Sequence, residues 1–471
     1  MREERYNDAV SAALELVKQN RLLPHGWMAL GQAYLLLGRK KSAAAAADRA
    51  WLLDPESVAA PSLLAEAGAL EKDESADVDG ELVELLKVGK TSVSAAVLVR
   101  NEELPLIARC LNSLDGAVDD VVVLDAGSTD RTKVLTTAYP HVLAVRAQWR
   151  DSFADVRNEA LRHAGSEWVF SLDAHEWLHD QDRRNIRLAA GLFHPLAAAP
   201  VLLLAWRQYH YREEIKHDFS APRLFPARQG LTYWGRTDAH IGTETELYPE
   251  KPIVRRRVRI RLHADAEDDL DLADRLLALS VAEEPKHPAW RMGLGELRLK
   301  QGRYDEAAVE LEAALGLAGA LPGFNQAADI KMMLAKAQMS LNRWGDAINL
   351  CKSVIEQHPS FPDAHYVLAQ ALVLQARAHL KEAETSVLNA GKLSKMYRGE
   401  SVAEVSLRKW PIPLMMADLA VHRGDLAEAR GIYRAYRKRA DVDRKHVLAS
   451  LKRIEQQRLA LKRHTEGGEA K

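Results

Sequence analysis

At 471 residues the chain is too long for one ordinary hydrophobic core, so two or three domains are expected. Hydrophobic residues at 47% and charged residues at 28% are the proportions of a soluble globular protein. The net charge of −1 excludes retention on nucleic acid by bulk electrostatics, and no nucleic-acid partner is expected.

The N-terminus, Met1-Arg2-Glu3-Glu4-Arg5, lacks the apolar centre of a signal peptide. Residues 5–19 read as the second helix of a truncated repeat. Trp27, Leu30, Gly31, Tyr34, Gly38, Ala43, Ala47, Ala50 and Pro55 then match the tetratricopeptide spacing. In that pattern small residues let two antiparallel helices approach, bulky ones fill the gap and the proline ends the second helix. The repeat closes its own helix pair over residues 1–70, so its removal is expected to leave ligand binding by the rest of the chain largely intact. A charged linker follows over 71–91, with a short helix from Glu81 to Val88.

The central domain is expected over 92–263. Three apolar runs of strand length, Val97 to Val99, Val121 to Leu124 and Trp168 to Leu172, each stop at polar residues. The stops are Arg100-Asn101-Glu102-Glu103, Asp125-Ala126-Gly127-Ser128-Thr129-Asp130 and Asp173-Ala174-His175-Glu176. Leu104, Ile107, Ala108, Leu111 and Leu114 give a helical pattern between the first two runs. Strand, helix, strand in that order implies parallel pairing through right-handed crossovers. Ligands of such sheets collect beyond the carboxyl ends of the strands, where these polar clusters fall. Further on come a helix from Asp182 to Leu192 and a buried strand from Val201 to Trp206. The longest apolar run, Ala197 to Trp206, contains Pro200 and is far short of the roughly 20 residues that span a bilayer.

The domain's last strand is Ile253 to His263. Val254, Val258, Ile260 and Leu262 alternate there with Arg255, Arg257, Arg259 and Arg261, with Arg256 as the one break. The arginine side reads either as a solvated sheet face or as added positive potential near a site. From 264 to 463 the chain is helical again. Gly295, Gly302, Tyr304, Ala307, Leu311 and Ala314 repeat the tetratricopeptide spacing, and Leu334, Trp344, Ala347 and Pro359 give another copy. Gly424-Asp425-Leu426 with Ala429 and Tyr433 is a partial one, and 464–471 is a frayed tail. The two cysteines, Cys110 and Cys351, fall in helical patterns of different domains. They read as reduced core thiols, which points to the cytoplasm.

Each polar cluster has an ordinary structural reading. Asp125 to Asp130 could be a tight turn on Gly127 with Ser128 or Thr129 capping a helix, and Asp-X-His triplets are common. Their shared placement at strand ends of one domain is the functional signal.

The segments VLVRNEE, VVVLDAGSTDRT, WRDSFADVRNEAL and WVFSLDAHEWL resemble the family 2 glycosyltransferases. Within that family the chain is similar to the subgroup that adds tetratricopeptide repeats, which includes peptide S-glycosyltransferases and lipopolysaccharide-core transferases. The resemblance implies an α/β GT-A fold, a Rossmann-like nucleotide-sugar-binding sheet, flanked by all-α repeats. It implies nucleotide recognition by Arg100, Asn101 and Glu102, contact of Asp125 with the base or ribose, and support of the nucleotide by Arg157. The metal motif, usually Asp-X-Asp, falls on Asp173 and His175, with His263 matching a third ligand after the last strand. Imidazole suits Mn²⁺ better than Mg²⁺, so manganese is the expected cofactor, with Mg²⁺ the alternative. The acceptor-side segment, Gly-Arg-Ile-His-Glu-like in the family, departs here. Asp238, His240 and Glu244 are the candidate bases in that order. A UDP-hexose is the implied donor and a peptide, protein or glycolipid the implied acceptor. The repeats could equally serve self-association.

Two readings of other kinds stand beside this one. The altered metal and acceptor motifs would also suit a tetratricopeptide scaffold protein carrying an inactive transferase-like domain. A nucleotidyltransferase on a similar sheet ranks last, because no glycine-rich, lysine-bearing loop follows the first strand.

Overall fold

The computed structural model describes residues 2–70, 77–102, 104–129, 139, 142–196, 200–211, 214–219, 221–237, 240–265, 269–396, 411–439 and 444–466. Residue contacts divide the chain into two compact units. One comprises 1–302 with 309–327, the other 303–308 with 328–471. The first helix pair after the sheet domain thus belongs to the same unit as the sheet.

The first unit begins with helices α1 (Arg2–Gln19), α2 (Pro24–Leu36), α3 (Lys40–Leu53), α4 (Ala59–Ala69) and α5 (Gly80–Leu86). Trp27, Leu30 and Tyr34 of α2 are fully buried against Ala43, Ala46 and Ala50 of α3. Gly31 shows why that position must be small. A Cβ there would stand 2.8 Å from Leu63 Cδ2 and 3.3 Å from the Ala43 carbonyl oxygen. The repeat inferred from spacing is therefore formed, and α1 supplies the helix expected over 5–19.

The sheet domain holds β1 (Val93–Val99), α6 (Leu104–Leu114), β2 (Asp120–Asp125), β3 (Val142–Arg146), α7 (Phe153–His163), β4 (Trp168–Asp173) and β5 (Glu176–Leu178). It continues with α8 (Arg183–Phe193), β6 (Val201–Tyr211), β7 (Glu214–Asp218), β8 (Pro222–Pro226), β9 (Leu231–Trp234), β10 (His240–Thr243) and β11 (Val254–Ala264). Strand order in the main sheet is β3-β2-β1-β4-β8-β6-β11-β5, with β7 beside β6, while β9 and β10 form a separate ribbon. β1, β2, β3 and β4 are mutually parallel, as the strand–helix–strand order requires. Every β1 side chain is buried. Val93, Ala95, Val97 and Val99 pack with α6 and α8, whereas Ala96 and Leu98 pack with α7 on the opposite face. A central parallel strand covered on both sides reads as one continuous apolar run for this reason.

The arginine row of β11 has a use that its alternation did not disclose. Its register against β6 shifts between Arg257 and Arg261, and Val254 is 40% exposed rather than core. Arg259, only 3% exposed, donates to Asp48 Oδ1 of α3 at 2.7 Å and lies 4.2 Å from the Trp51 ring. Arg184 holds the other Asp48 oxygen at 2.6 Å, and Arg257 pairs with Glu56. Arg261 forks onto the fully buried Asp182, which also accepts its backbone N–H. The solvated-face reading holds for Arg255, Arg256 and Arg257, which are exposed, whereas Arg259 is buried and Arg261 partly so. Arg257 and Arg259 form the seam on which the N-terminal repeat is docked, through Glu56 and Asp48.

The unit closes with α9 (Leu270–Glu283), α10 (Pro288–Lys300) and, from Val309 on, α11 (Tyr304–Ala318). The second unit is helical, with α12 (Ala327–Ser340), α13 (Trp344–Gln357), α14 (Pro362–Met396), α15 (Pro411–Arg423), α16 (Leu426–Tyr436) and α17 (Arg444–Glu466). Cys351 lies in the core that α12, α13 and α14 share, and both cysteines are buried, free thiols. No helix among the described residues is long and apolar enough to cross a membrane.

Asp48→Ala should uncover the cost of the seam. Arg259 would keep only Asp182, at 3.6 Å, as a carboxylate neighbour. A loss of about 2 kcal/mol is expected, the scale of a hydrogen bond to a charged group. Urea unfolding of the full chain measures it, and a loss below about 0.5 kcal/mol, the scatter of ordinary surface changes, would show that the seam adds nothing.

Candidate active site

The polar clusters after β1, β2 and β4 meet because those strands are adjacent and parallel, and so end on one side. Backbone and side chains lace the first two together. Asp125, 8% exposed, accepts the Ser128 N–H at 2.6 Å across a turn in which Gly127 takes φ +83°. The Ser128 hydroxyl accepts the Asn101 N–H at 3.1 Å, and Asn101 Oδ1 accepts the Thr129 N–H at 2.9 Å. Asn101 itself sits at φ +55°, a conformation asparagine tolerates better than most residues. The turn reading of 125–130 therefore holds as far as Thr129. Ser128 serves the neighbouring loop, and Asp130 lies outside the described residues. Arg100 lies 4.3 Å from the Trp149 ring, and the Trp149 indole N–H donates to Asp151 at 2.9 Å.

The third cluster is electrostatically dense. Asp173 Oδ1 accepts from Arg157 Nη2 at 2.5 Å and Oδ2 from Arg223 Nη2 at 3.3 Å. Arg157 also donates to Ser171 and lies 5.7 Å from the Tyr233 ring. Glu176, wholly buried, accepts from the same Arg223 nitrogen at 2.6 Å and from the Asp173 backbone N–H at 3.1 Å. Arg207 stands 3.8 Å from Glu176 and pairs with Asp218 at 3.2 Å. Burial alone would raise the Asp173 pKa, but Arg157, Arg223 and His175 outweigh it and hold the carboxylate well below its usual range. Two guanidinium groups in a desolvated site make one stable anion at the tip of β4.

His175 follows, with Nδ1 facing Glu102 Oε1 at 3.5 Å. Burial pulls its pKa down, but the Glu102, Asp173 and Glu176 carboxylates reverse this and raise it above an ordinary imidazole's. The third expected metal ligand does not join the cluster. β5 pairs with β11 so that His263 stands opposite Trp177, and Ala264 stands opposite Glu176. Successive residues face opposite sides of a sheet, so His263 emerges on the face away from the Glu176 carboxylate. Its ring stacks on Trp177 at 5.4 Å and on His179 at 5.5 Å. Among the described residues, no three His, Cys, Asp or Glu side chains are grouped to hold a metal ion.

The candidate bases separate as well. Asp238 lies outside the described residues. His240 opens β10 opposite Trp234, with its ring 5.7 Å from Trp290. Glu244 lies past the other end of β10, its N–H on the Gly230 carbonyl at 3.0 Å and its side chain exposed. That end of the ribbon follows β8 where β8 pairs with the start of β4, so Glu244 is not brought to the strand-end cluster. The sequence reading missed Glu176 and Arg223. Glu176 stood beside the triplet without an assigned role. Arg223 had one signal, a lone arginine in an apolar strand run, which requires a buried partner.

Glu176→Gln should destabilise the chain by about 3 kcal/mol, because it removes one partner from a buried ion pair. Chemical denaturation gives the value, and a neutral substitution would show that Arg223 is satisfied without Glu176.

Comparison with known proteins agrees with this geometry. Residues 94–187 match the model of glycosyl transferase family 2. Tetratricopeptide repeat models match 266–320, and 1–73 with 332–385. The glycosyltransferase SunS of Bacillus subtilis is 24% identical over 230 residues, covering 46% of this chain and 52% of its own. The lipopolysaccharide core biosynthesis glycosyltransferase LpsC of Rhizobium meliloti is 30% identical, covering 26% and 42%. A TPR repeat-containing protein of Synechococcus elongatus is 39% identical over 93 residues, which is 23% of its length. The chain thus spans about half or less of the curated relatives it matches. Among solved structures, S. aureus TarS aligns over 56% of this chain and 55% of its own, with 15% identity and a TM-score of 0.32. Such a loose likeness carries no argument by itself. Residues 94–187 thus match a glycosyl transferase family 2 domain, set among segments that match tetratricopeptide repeats.

Proposed function

We propose that this chain is a metal-dependent inverting glycosyltransferase that moves a hexose from a UDP-sugar to a peptide, protein or glycolipid acceptor. The observation that carries the reading is the convergence of Asn101, Glu102, Asp125, Arg157, Asp173 and His175 at adjacent parallel strand ends. The nucleoside end of the donor belongs against Arg100, Asn101 and Asp125, and its diphosphate against Asp173 and His175. SunS and LpsC, both named glycosyltransferases, support the reaction class.

A divalent cation fits the donor set of Asp173 and His175. Each Asp173 oxygen keeps a second lone pair beside its guanidinium partner. Glu102 faces His175 Nδ1, the arrangement in which a carboxylate orients an imidazole and leaves Nε2 for a metal. A cation held by Asp173 and His175 would supply charge stabilisation for the leaving diphosphate. Arg157 and Arg223 fix the Asp173 carboxylate in place and keep it ionised. On the acceptor side a base from the stretch Asp238 to His240 takes the proton of the attacking hydroxyl or thiol. The nucleophile bonds to the anomeric carbon as the bond to the diphosphate oxygen breaks, and the configuration inverts. A thiol acceptor would need only a weak base, since thiolate is partly available near neutral pH.

Imidazole at position 175 predicts tighter UDP binding with Mn²⁺ than with Mg²⁺. Calorimetry with each metal measures the difference, and equal or stronger binding with Mg²⁺ would remove His175 from the ligand set. His175→Asp should shift the preference towards Mg²⁺ and keep some turnover. Incubation of cell extract with UDP-glucose or UDP-N-acetylglucosamine, followed by mass spectrometry, tests the reaction. Failure to consume either donor would favour a scaffold protein with an inactive transferase-like domain.

A further inference from the structure

Gly235 and Arg236 after β9, and His240 at the start of β10, contact the first helix pair after the sheet domain. Arg236 forks onto Glu283, the last residue of α9, with Nε to Oε2 at 2.8 Å and Nη2 to Oε1 at 2.5 Å. Its remaining nitrogen, Nη1, donates to the carbonyl oxygens of Arg150 at 3.1 Å and Asp151 at 2.8 Å. The Arg236 carbonyl accepts the Phe153 N–H at 3.0 Å, where α7 begins. Gly235, at φ +90°, lies flat against Trp290 of α10. A Cβ there would come within 2.8 Å of two ring carbons. His240 packs on the same ring from the other end of the segment. The Trp290 indole donates to Glu284 at 2.5 Å and stacks on His287 at 4.7 Å. Arg275, two turns before Glu283 on α9, donates to Asp151 Oδ1 at 2.9 Å. That oxygen also receives the Trp149 indole N–H, and Trp149 lies under Arg100.

We propose that Arg236 and Glu283 are positioning residues for transfer. They fasten the acceptor-side segment to the donor-side loop 149–153, so α9 is a working part of the enzyme rather than the start of a separate repeat array. The proposal rests on the transferase reading above. Its physical basis is the mismatch between investment and stability. Glu283 has a half-exposed side chain, and exposed ion pairs contribute little to stability. Yet Arg236 commits every guanidinium nitrogen, to Glu283 of α9 and to the loop whose Trp149 lies beside Arg100 of the strand-end cluster. Such geometry fixes position more than it stabilises the fold. Misplacement of an acceptor group by about 1 Å costs up to about 100-fold in rate, whereas water, small and abundant, is far less sensitive to it.

The test uses the full chain as wild type, Glu283→Ala and Arg236→Lys, with radiolabelled UDP-glucose and UDP-N-acetylglucosamine and cell extract as acceptor source. UDP release and label in macromolecular product are measured together, alongside calorimetric UDP affinity. Glu283→Ala should lower the ratio of transfer to hydrolysis by about 10- to 100-fold and leave UDP affinity within about twofold. Arg236→Lys should retain part of the ratio through one carbonyl contact. An unchanged ratio in Glu283→Ala overturns the proposal, and so does a parallel fall in UDP affinity, which would mark general damage to the donor site. A wild-type chain that consumes neither donor overturns the transferase reading first, and is distinguishable because it needs no variant.

Discussion

Everything at the candidate site depends on keeping a carboxylate ionised where little water reaches it. Asp173 stands at the tip of β4 between Arg157 and Arg223, and Arg223 is balanced in turn by the buried Glu176. Isolated buried charges are costly, so such a group persists only with partners in good geometry. Here the partners come from α7, β8 and β5, with Glu176 three residues from Asp173 and Arg223 fifty residues away. The sheet's curl and strand order exist, in effect, to bring these four charges together.

The same economy recurs where the helical repeats meet the sheet. Arg259 on β11 is buried because Asp48, Asp182 and the Trp51 ring surround it. Asp182 in turn fixes Arg261 and Asn185 at the start of α8. Arg236 joins the β9–β10 ribbon to α9. Guanidinium groups suit such joints because their fork binds carboxylates and carbonyls in fixed directions. The repeats of the first unit are thus built into the sheet domain by directional polar contacts, beside apolar ones such as Leu22 and Leu53 against the sheet core.

Much of this was readable from residues. The apolar runs ending at Val99, Leu124 and Leu172 gave the parallel strands and the side on which their polar ends meet. The small residues Gly31, Ala43 and Ala47 gave the first repeat. What escaped was partnership across distance. Periodicity places Arg259 on a face but does not reveal that α3 covers that face. His263 was matched by its position after a strand, yet β5 turns its ring towards Trp177. Glu176 lay next to the recognised triplet, but its partner Arg223 is 47 residues away, a separation only the fold can close. Local pattern determines elements well, whereas buried charge networks are properties of the assembled sheet.

The central claim is that a nucleotide diphosphate is received at the Asp173–His175 end of the sheet. A crystal structure of the full chain with UDP and Mn²⁺ examines it directly. The account predicts the diphosphate and metal at Asp173 and His175, with the nucleoside towards Asp125 and Asn101. Nucleotide bound elsewhere, with the Asp173–Arg157–Arg223 cluster untouched, would contradict it.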